Sequence, residues 1–184
     1  MLPRSDLHIG LTGVAPGRPA PAARPDLDHG HRALHLALPA EDQEAVRRLI
    51  LDGLAERWSG QLDESPNPDL ADLASAHPHG RIVVGRLDAE IVATGIVKPA
   101  GPGLAEIVRM SVAAGHRRSG HGRQILQALL AAAREGSASR VVLETCDSWE
   151  GVVSFYLAAE FSINHYRDSP WCRDAYFVLD LPPG

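Results

Sequence analysis

Leu104-Ala105-Glu106-Ile107-Val108-Arg109-Met110-Ser111-Val112 is joined by a four-residue link to Arg117-Arg118-Ser119-Gly120-His121-Gly122-Arg123. The first run is apolar and β-branched enough to read as a strand. The second is a glycine-rich turn. Behind it the spacing predicts a helix over Gly120–Glu135, with Ile125, Leu126, Leu129, Leu130 and Ala133 on one face and Gly136 as its stop. A helix that opens on such a turn leaves backbone N–H groups unpaired at its positive dipole end. Gly120 and Gly122 carry no Cβ, so a bulky anion can approach the main chain. Arg117, Arg118 and Arg123 add positive charge, and residues 116–123 contain no acid. In a chain of net charge −5 this is a local anion site of phosphate or pyrophosphate type. It is not a P-loop, because no Gly-Lys-Ser/Thr follows. Nor is it the three-glycine dinucleotide fingerprint.

The rest of the chain sets bounds on this reading. With 184 residues and a 45% hydrophobic fraction it has material for one domain and a core. A net charge of −5 and a single lysine, Lys98, exclude a basic nucleic-acid coat protein. No apolar run reaches the ~18 residues that a membrane helix needs. Two cysteines, Cys146 and Cys172, make no disulfide framework and no metal knuckle. Residues 1–32 hold five prolines and four glycines without periodicity and read as a flexible extension. Their Leu7–Leu11 segment is too short and polar for a secretory signal, so the expected location is cytoplasmic. Residues 33–184 are the domain.

Outward from the central segment the pattern is mixed α/β. Ala33–Leu38 reads as a short strand, and Glu41–Trp58 as a helix with Ala45, Leu49 and Leu54 inward. A second helix starts at Asn67-Pro68, with Asn67 as cap. Arg81–Leu87 and Ile91–Val97 form a hairpin. After the central strand and helix come a buried strand at Val141–Thr145, a helix at Glu150–Ala159, and closing strands at Phe161–Tyr166 and Ala175–Leu181.

Arg117-x-x-Gly120-x-Gly122 resembles the coenzyme A signature, Gln/Arg-x-x-Gly-x-Gly/Ala, of the GNAT superfamily of N-acetyltransferases. Ser154-Phe155-Tyr156-Leu157-Ala158-Ala159-Glu160-Phe161 is similar to the family's C-terminal motif, with Glu160 in place of the usual glycine before Phe161. Trp149 stands where the family often has asparagine. The resemblance covers about Leu34 to Leu181, its specific motifs lying within 104–161. It implies a central, mostly antiparallel, splayed sheet of about seven strands flanked by about four helices. It further implies acetyl-CoA as cosubstrate and no metal. The cofactor would lie along Met110, Ser111 and Val112, whose main chain pairs with the pantetheine arm like an added strand. Its pyrophosphate would sit on Arg117, Arg118, Ser119, Gly120, His121, Gly122 and Arg123.

Within that frame Glu106 is the candidate general base, since the reaction needs a neutral amine and a carboxylate in reach can take its proton. A substrate ligand, or a partner of Arg109, is the alternative role. Tyr156 is the candidate general acid toward the departing thiolate, and a packed helix tyrosine is the alternative. Cys146, among Glu144, Thr145 and Asp147, lacks the basic setting of a reactive thiol. The His29-Gly30-His31 and His77-Pro78-His79 pairs lack the spacing of a metal site. His116 and His121 flank the anion loop. Nine acids against three arginines in residues 41–72 suggest an acidic rim that draws a cationic small-molecule amine. A protein or peptide acetyltransferase and a non-catalytic acyl-CoA sensor are the other readings. No nucleic-acid or membrane partner is expected, and a homodimer is compatible with the family.

Overall fold

The computed structural model describes residues 32–35, 38–58 and 67–182. Among these residues seven strands form one sheet, flanked by four helices. In chain order these are β1 (Arg32–His35), α1 (Gln43–Arg57), α2 (Leu73–Ala76), β2 (Arg81–Leu87), β3 (Glu90–Gly101), β4 (Leu104–Val112), α3 (His121–Glu135), β5 (Arg140–Cys146), α4 (Glu150–Leu157), β6 (Ser162–Asp168) and β7 (Arg173–Asp180). The sheet order is β1-β2-β3-β4-β5-β7-β6. Every neighbouring pair is antiparallel except β4 and β5. Most of the extension, residues 1–31, and residues 59–66 lie outside the described residues.

Two cores hold the sheet from opposite faces. On one, Ile125, Leu126, Leu129 and Ala133 of α3 pack with Val83, Ile107, Leu143 and Phe177, joined by Tyr156 and Phe161 from the α4 region. On the other, Val46, Ile50 and Leu51 of α1 pack with Leu70, Leu73, Ile82, Val84 and Ile96. Sealing these core side chains from water stabilises the fold by roughly 1.5–3 kcal/mol each for the larger ones.

Several expectations are corrected. The first strand spans Arg32–His35 rather than Ala33–Leu38. The first helix begins at Gln43, after a 3-10 turn at Ala40–Asp42, and Ala45 is exposed while Val46, Leu49 and Ile50 are buried. The inward stripe is therefore set by Val46 and Ile50, one residue out of phase with Ala45. Asn67 caps no helix, because its side-chain oxygen accepts from Arg109 Nη1 at 2.8 Å. Pro68 opens only a 3-10 turn, and α2 is capped instead by Asp72, which accepts from the Ser75 N–H. The third helix does stop at Gly136, its C-cap, but with φ −77°, the left-handed residue being Ser137, φ 61°. The fourth helix ends at Leu157.

Two irregularities interrupt β4. Ile96 faces Val108 and Thr94 faces Ser111, so β4 spends two residues, Arg109 and Met110, where β3 spends one, Gly95. This is a β-bulge, and Arg109 takes the left-handed φ of 56° within it. A non-glycine residue there costs about 1–2 kcal/mol of backbone strain. The Arg109 side chain offsets that by forking onto Asp69, with Nε donating to Oδ2 at 2.8 Å and Nη2 to Oδ1 at 2.5 Å. Further, β4 pairs with β5 only at Leu104, Ala105 and Glu106. From Ile107 onward the two strands part.

Candidate active site

The parting of β4 and β5 opens a cleft, and the glycine-rich turn, the central strand and the Tyr156 segment converge on it. At its narrow end stands Glu106, on the last paired rung, opposite Val142 on β5 and Lys98 on β3. Its carboxylate is half-buried, and Oε2 lies 3.1 Å from Lys98 Nζ. Arg109, the other candidate partner of Glu106, is instead committed to Asp69 and Asn67. One wall carries Met110, Ser111 and Val112 beyond the bulge, with Ser111 buried.

At the wide end the chain leaves β4 and turns into α3. Arg118 has φ 60° and Gly120 φ 93°, so the turn is left-handed at two points. Gln124 is the first residue whose N–H bonds back, to Gly120 O at 3.1 Å. The N–H groups of Gly122 and Arg123 therefore have no helical acceptor, and Gly120 at the N-cap has no side chain to cap them. A Cβ on Gly120 would meet nothing within 4 Å, and it is the left-handed φ, not crowding, that calls for glycine there. Arg118, Ser119 and Arg123 are exposed beside this turn, and His121 is buried under it. The Ser119 hydroxyl donates to His116 O. Arg117 turns the other way, its Nε donating to Val112 O at 3.2 Å and its Nη2 lying 2.6 Å from Glu56 of α1.

Tyr156 enters from the far side. It is buried against Phe155, Phe161 and Phe177, with ring centroids 5.2, 5.7 and 5.7 Å away. Its hydroxyl donates to Met110 Sδ at 3.6 Å, so it reaches across the cleft to the bulge. Burial pushes the phenol up to about 12, while the Arg57 charge pulls weakly the other way. The Glu160 position is left-handed, φ 69°, so the chain keeps the path that a glycine would take there.

The model for the acetyltransferase (GNAT) family matches residues 46–161. The chain belongs to the GNAT acetyltransferase family. The reaction that goes with this membership is acetyl transfer from acetyl-CoA. The fold agrees. An acetyltransferase from Streptococcus agalactiae 2603 superimposes with a TM-score of 0.71 at 13% identity, covering 82% of this chain and 98% of that one. The ribosomal-protein-alanine N-acetyltransferase of Brucella melitensis gives 0.65 at 15% identity, with coverages of 81% and 99%. The paia N-acetyltransferase of Thermoplasma acidophilum, crystallised in complex with coenzyme A, gives 0.67 at 12% identity, with coverages of 82% and 99%. At these identities the likeness is one of fold. No curated protein matches the sequence significantly.

Three features of this GNAT site were not foreseen. The first is a cluster over the cleft mouth. Arg57 Cζ stands 4.8 Å from the Trp149 ring centroid, and Trp58 meets the same ring edge-on at 5.6 Å. Aromatic residues so far apart in sequence gave no signal. The second is that five of the nine acids of residues 41–72 are engaged by the fold. Asp42 pairs with Arg86, Glu44 with Arg47, Glu56 with Arg117 and Asp69 with Arg109, and Asp72 caps α2. The third is the pairing of Cys146 with Cys172, Cα atoms 5.9 Å apart. The register places Cys146 opposite Asp174, which brings Cys172 alongside. Among the described residues no cluster of metal-ligating side chains occurs, and no helix is long and apolar enough to cross a membrane.

Proposed function

We propose that the protein acetylates the primary amine of a small molecule by direct attack on acetyl-CoA in a ternary complex. The observation that carries this reading is the uncapped, left-handed opening of α3 placed directly beyond the unpaired half of β4. The turn 117–123 offers main-chain N–H groups and exposed guanidinium charge to a diphosphate. The unpaired edge at Met110–Val112 offers strand-like hydrogen bonds to a pantetheine arm. That route sets the thioester between the bulge and the Tyr156 hydroxyl.

The amine nitrogen forms a bond to the thioester carbonyl carbon, and the carbon–sulfur bond breaks. The proton leaving nitrogen goes to Glu106, directly or through one water. Glu106 suits this because Lys98 engages only Oε2, and Oε1 has no partner among the described residues. The departing sulfur takes the Tyr156 proton. A phenol held up to about 12 stays protonated at neutral pH and can therefore donate. A cytoplasmic location goes with this reading. The Cys146–Cys172 pairing weighs against it, because disulfides persist mainly in oxidising compartments.

The test has two parts. Calorimetry with acetyl-CoA should show binding by the folded protein, and thiol release should follow when amines are added. Glu106→Gln should lower kcat on the order of 10²-fold or more, with the loss shrinking at high pH where the free amine predominates. Full activity of that variant across the pH range removes Glu106 as the base.

A further inference from the structure

The electrostatics of the cleft point away from a polycationic acceptor. Of the nine acids of residues 41–72 that suggested one, five are tied up in ion pairs and a cap. A positive charge has been left over instead. Arg57, in the last turn of α1, is half-buried, and no carboxylate lies within ion-pair distance of it among the described residues. Its neighbour Glu56 is spent on Arg117. The Arg57 guanidinium rests on the face of Trp149, which stabilises a cation without neutralising it. The same side chain and Ser111 of β4 both approach Gly53 of α1. A Cβ placed on Gly53 would lie 3.5 Å from Ser111 Oγ and 3.7 Å from Arg57 Nη1. Its field reaches the Tyr156 phenol as well. Arg57 thus stands beside the cleft with hydrogen-bond donors and no carboxylate at ion-pair distance among the described residues.

Three ligand groups could answer that charge: the cofactor's phosphates, the reacting thioester, or the acceptor. The phosphates have their own site at 117–123, and the thioester and pantetheine arm are neutral. Trp149, the platform under Arg57, is two residues from Asp147, which pairs with Arg173 at 3.8 Å, and three from Cys146, bonded to Cys172. The guanidinium joins the end of α1 to Trp149, the residue that opens α4, within electrostatic reach of the Tyr156 phenol. We infer that the acceptor carries a carboxylate beside its amine, as an amino acid does, and that Arg57 is the residue that selects it. A guanidinium matches a carboxylate with two parallel hydrogen bonds. It repels a polyamine, and it favours the neutral form of a nearby amine, which is the form that attacks. This assignment rests on the proposed transferase activity.

The experiment compares free amino acids, their carboxamides, and linear diamines and triamines as acceptors, using thiol release from acetyl-CoA. The wild-type protein should prefer a free acid over its own carboxamide by about tenfold or more in kcat/KM, chiefly through KM. Arg57→Gln should shrink that ratio toward one, and Arg57→Lys should restore part of it. Acetyl-CoA affinity of each variant, measured by calorimetry, should stay within about twofold of wild type. Equal use of acids and carboxamides by wild type, or a preference for polyamines, overturns the inference. So does an Arg57→Gln loss that is the same for every acceptor, or one that appears as weakened acetyl-CoA binding, which would assign the charge to the cofactor. Acetyl-CoA binding with no thiol release for any amine would instead sink the transferase reading itself, and this inference with it.

Discussion

Removing the Tyr156 hydroxyl tests the site through stability as well as rate. The phenol is held up to about 12, chiefly because burial penalises the phenolate. In the unfolded chain it titrates near 10. Below about pH 10 both states keep the proton, and the stabilisation from sheltering a neutral phenol is fully present. Between about 10 and 12 the unfolded state releases its proton while the folded state holds it. Stability then falls as pH rises, by about 1.4 kcal/mol per unit, for a total near 2.7 kcal/mol by pH 12. Tyr156→Phe has no such proton. Urea denaturation of both proteins at several values from about pH 8 to 11 isolates the effect, since every other titrating group, Tyr176 included, is common to both. Near pH 8 the variant should be less stable by about 0.5–1 kcal/mol, the value of one weak hydrogen bond to sulfur. By about pH 11 wild type should have lost about 1.4 kcal/mol more than the variant, reversing their order. Curves that run parallel throughout would refute the claim that this phenol is buried and neutral. In the same variant, folded at neutral pH, kcat should fall by about 10²–10⁴ if the hydroxyl is the proton donor.

Gly95→Ala should cost about 1–3 kcal/mol in thermal or urea unfolding, because the new Cβ would lie 2.7 Å from Leu129 Cδ1 and 3.0 Å from Ile125 Cγ2. A neutral result would mean that α3 sits farther from the bulge than these distances say. Arg109→Ala should weaken the protein and flatten its acid limb. Burial alone would raise the Asp69 carboxyl, but hydrogen bonds and charge from Arg109 outweigh it and hold the group below its ordinary value. The stability this contributes is present above the ordinary carboxyl range and lost as pH falls through the lowered value, so the variant's pH profile should lack part of that loss. Thiol titration of unreduced, unfolded protein should find no free cysteine, and reduction should lower stability by at most about 3–4 kcal/mol, as the closed loop spans a separation of 26 residues. Two titratable thiols would remove the bridge.

How far the sequence alone reaches depends on the range of the interactions involved. The turn at Gly120 and the helix behind it were readable because their cause is local: a left-handed residue, unpaired first-turn N–H groups, and apolar side chains at helical spacing on the one stripe from Ile125 to Ala133. Strand β4 and the motif around Tyr156 were legible for the same reason, and so was the family. Nothing local marks the bulge at Arg109. That residue turns left-handed because Asp69 and Asn67, forty and forty-two positions away, hold its side chain. The opening between β4 and β5 likewise depends on pairing that stops at Glu106, which strand composition does not encode. Charge misled most. Counted along the chain, residues 41–72 are acidic, yet folding matches Asp42, Asp69 and Glu56 to Arg86, Arg109 and Arg117 on other elements and leaves Arg57 on Trp149. Sequence thus determined which groups are available and which backbone turns can bind an anion. Tertiary structure decided which charges cancel, because electrostatic pairing depends on distance in space rather than on separation along the chain.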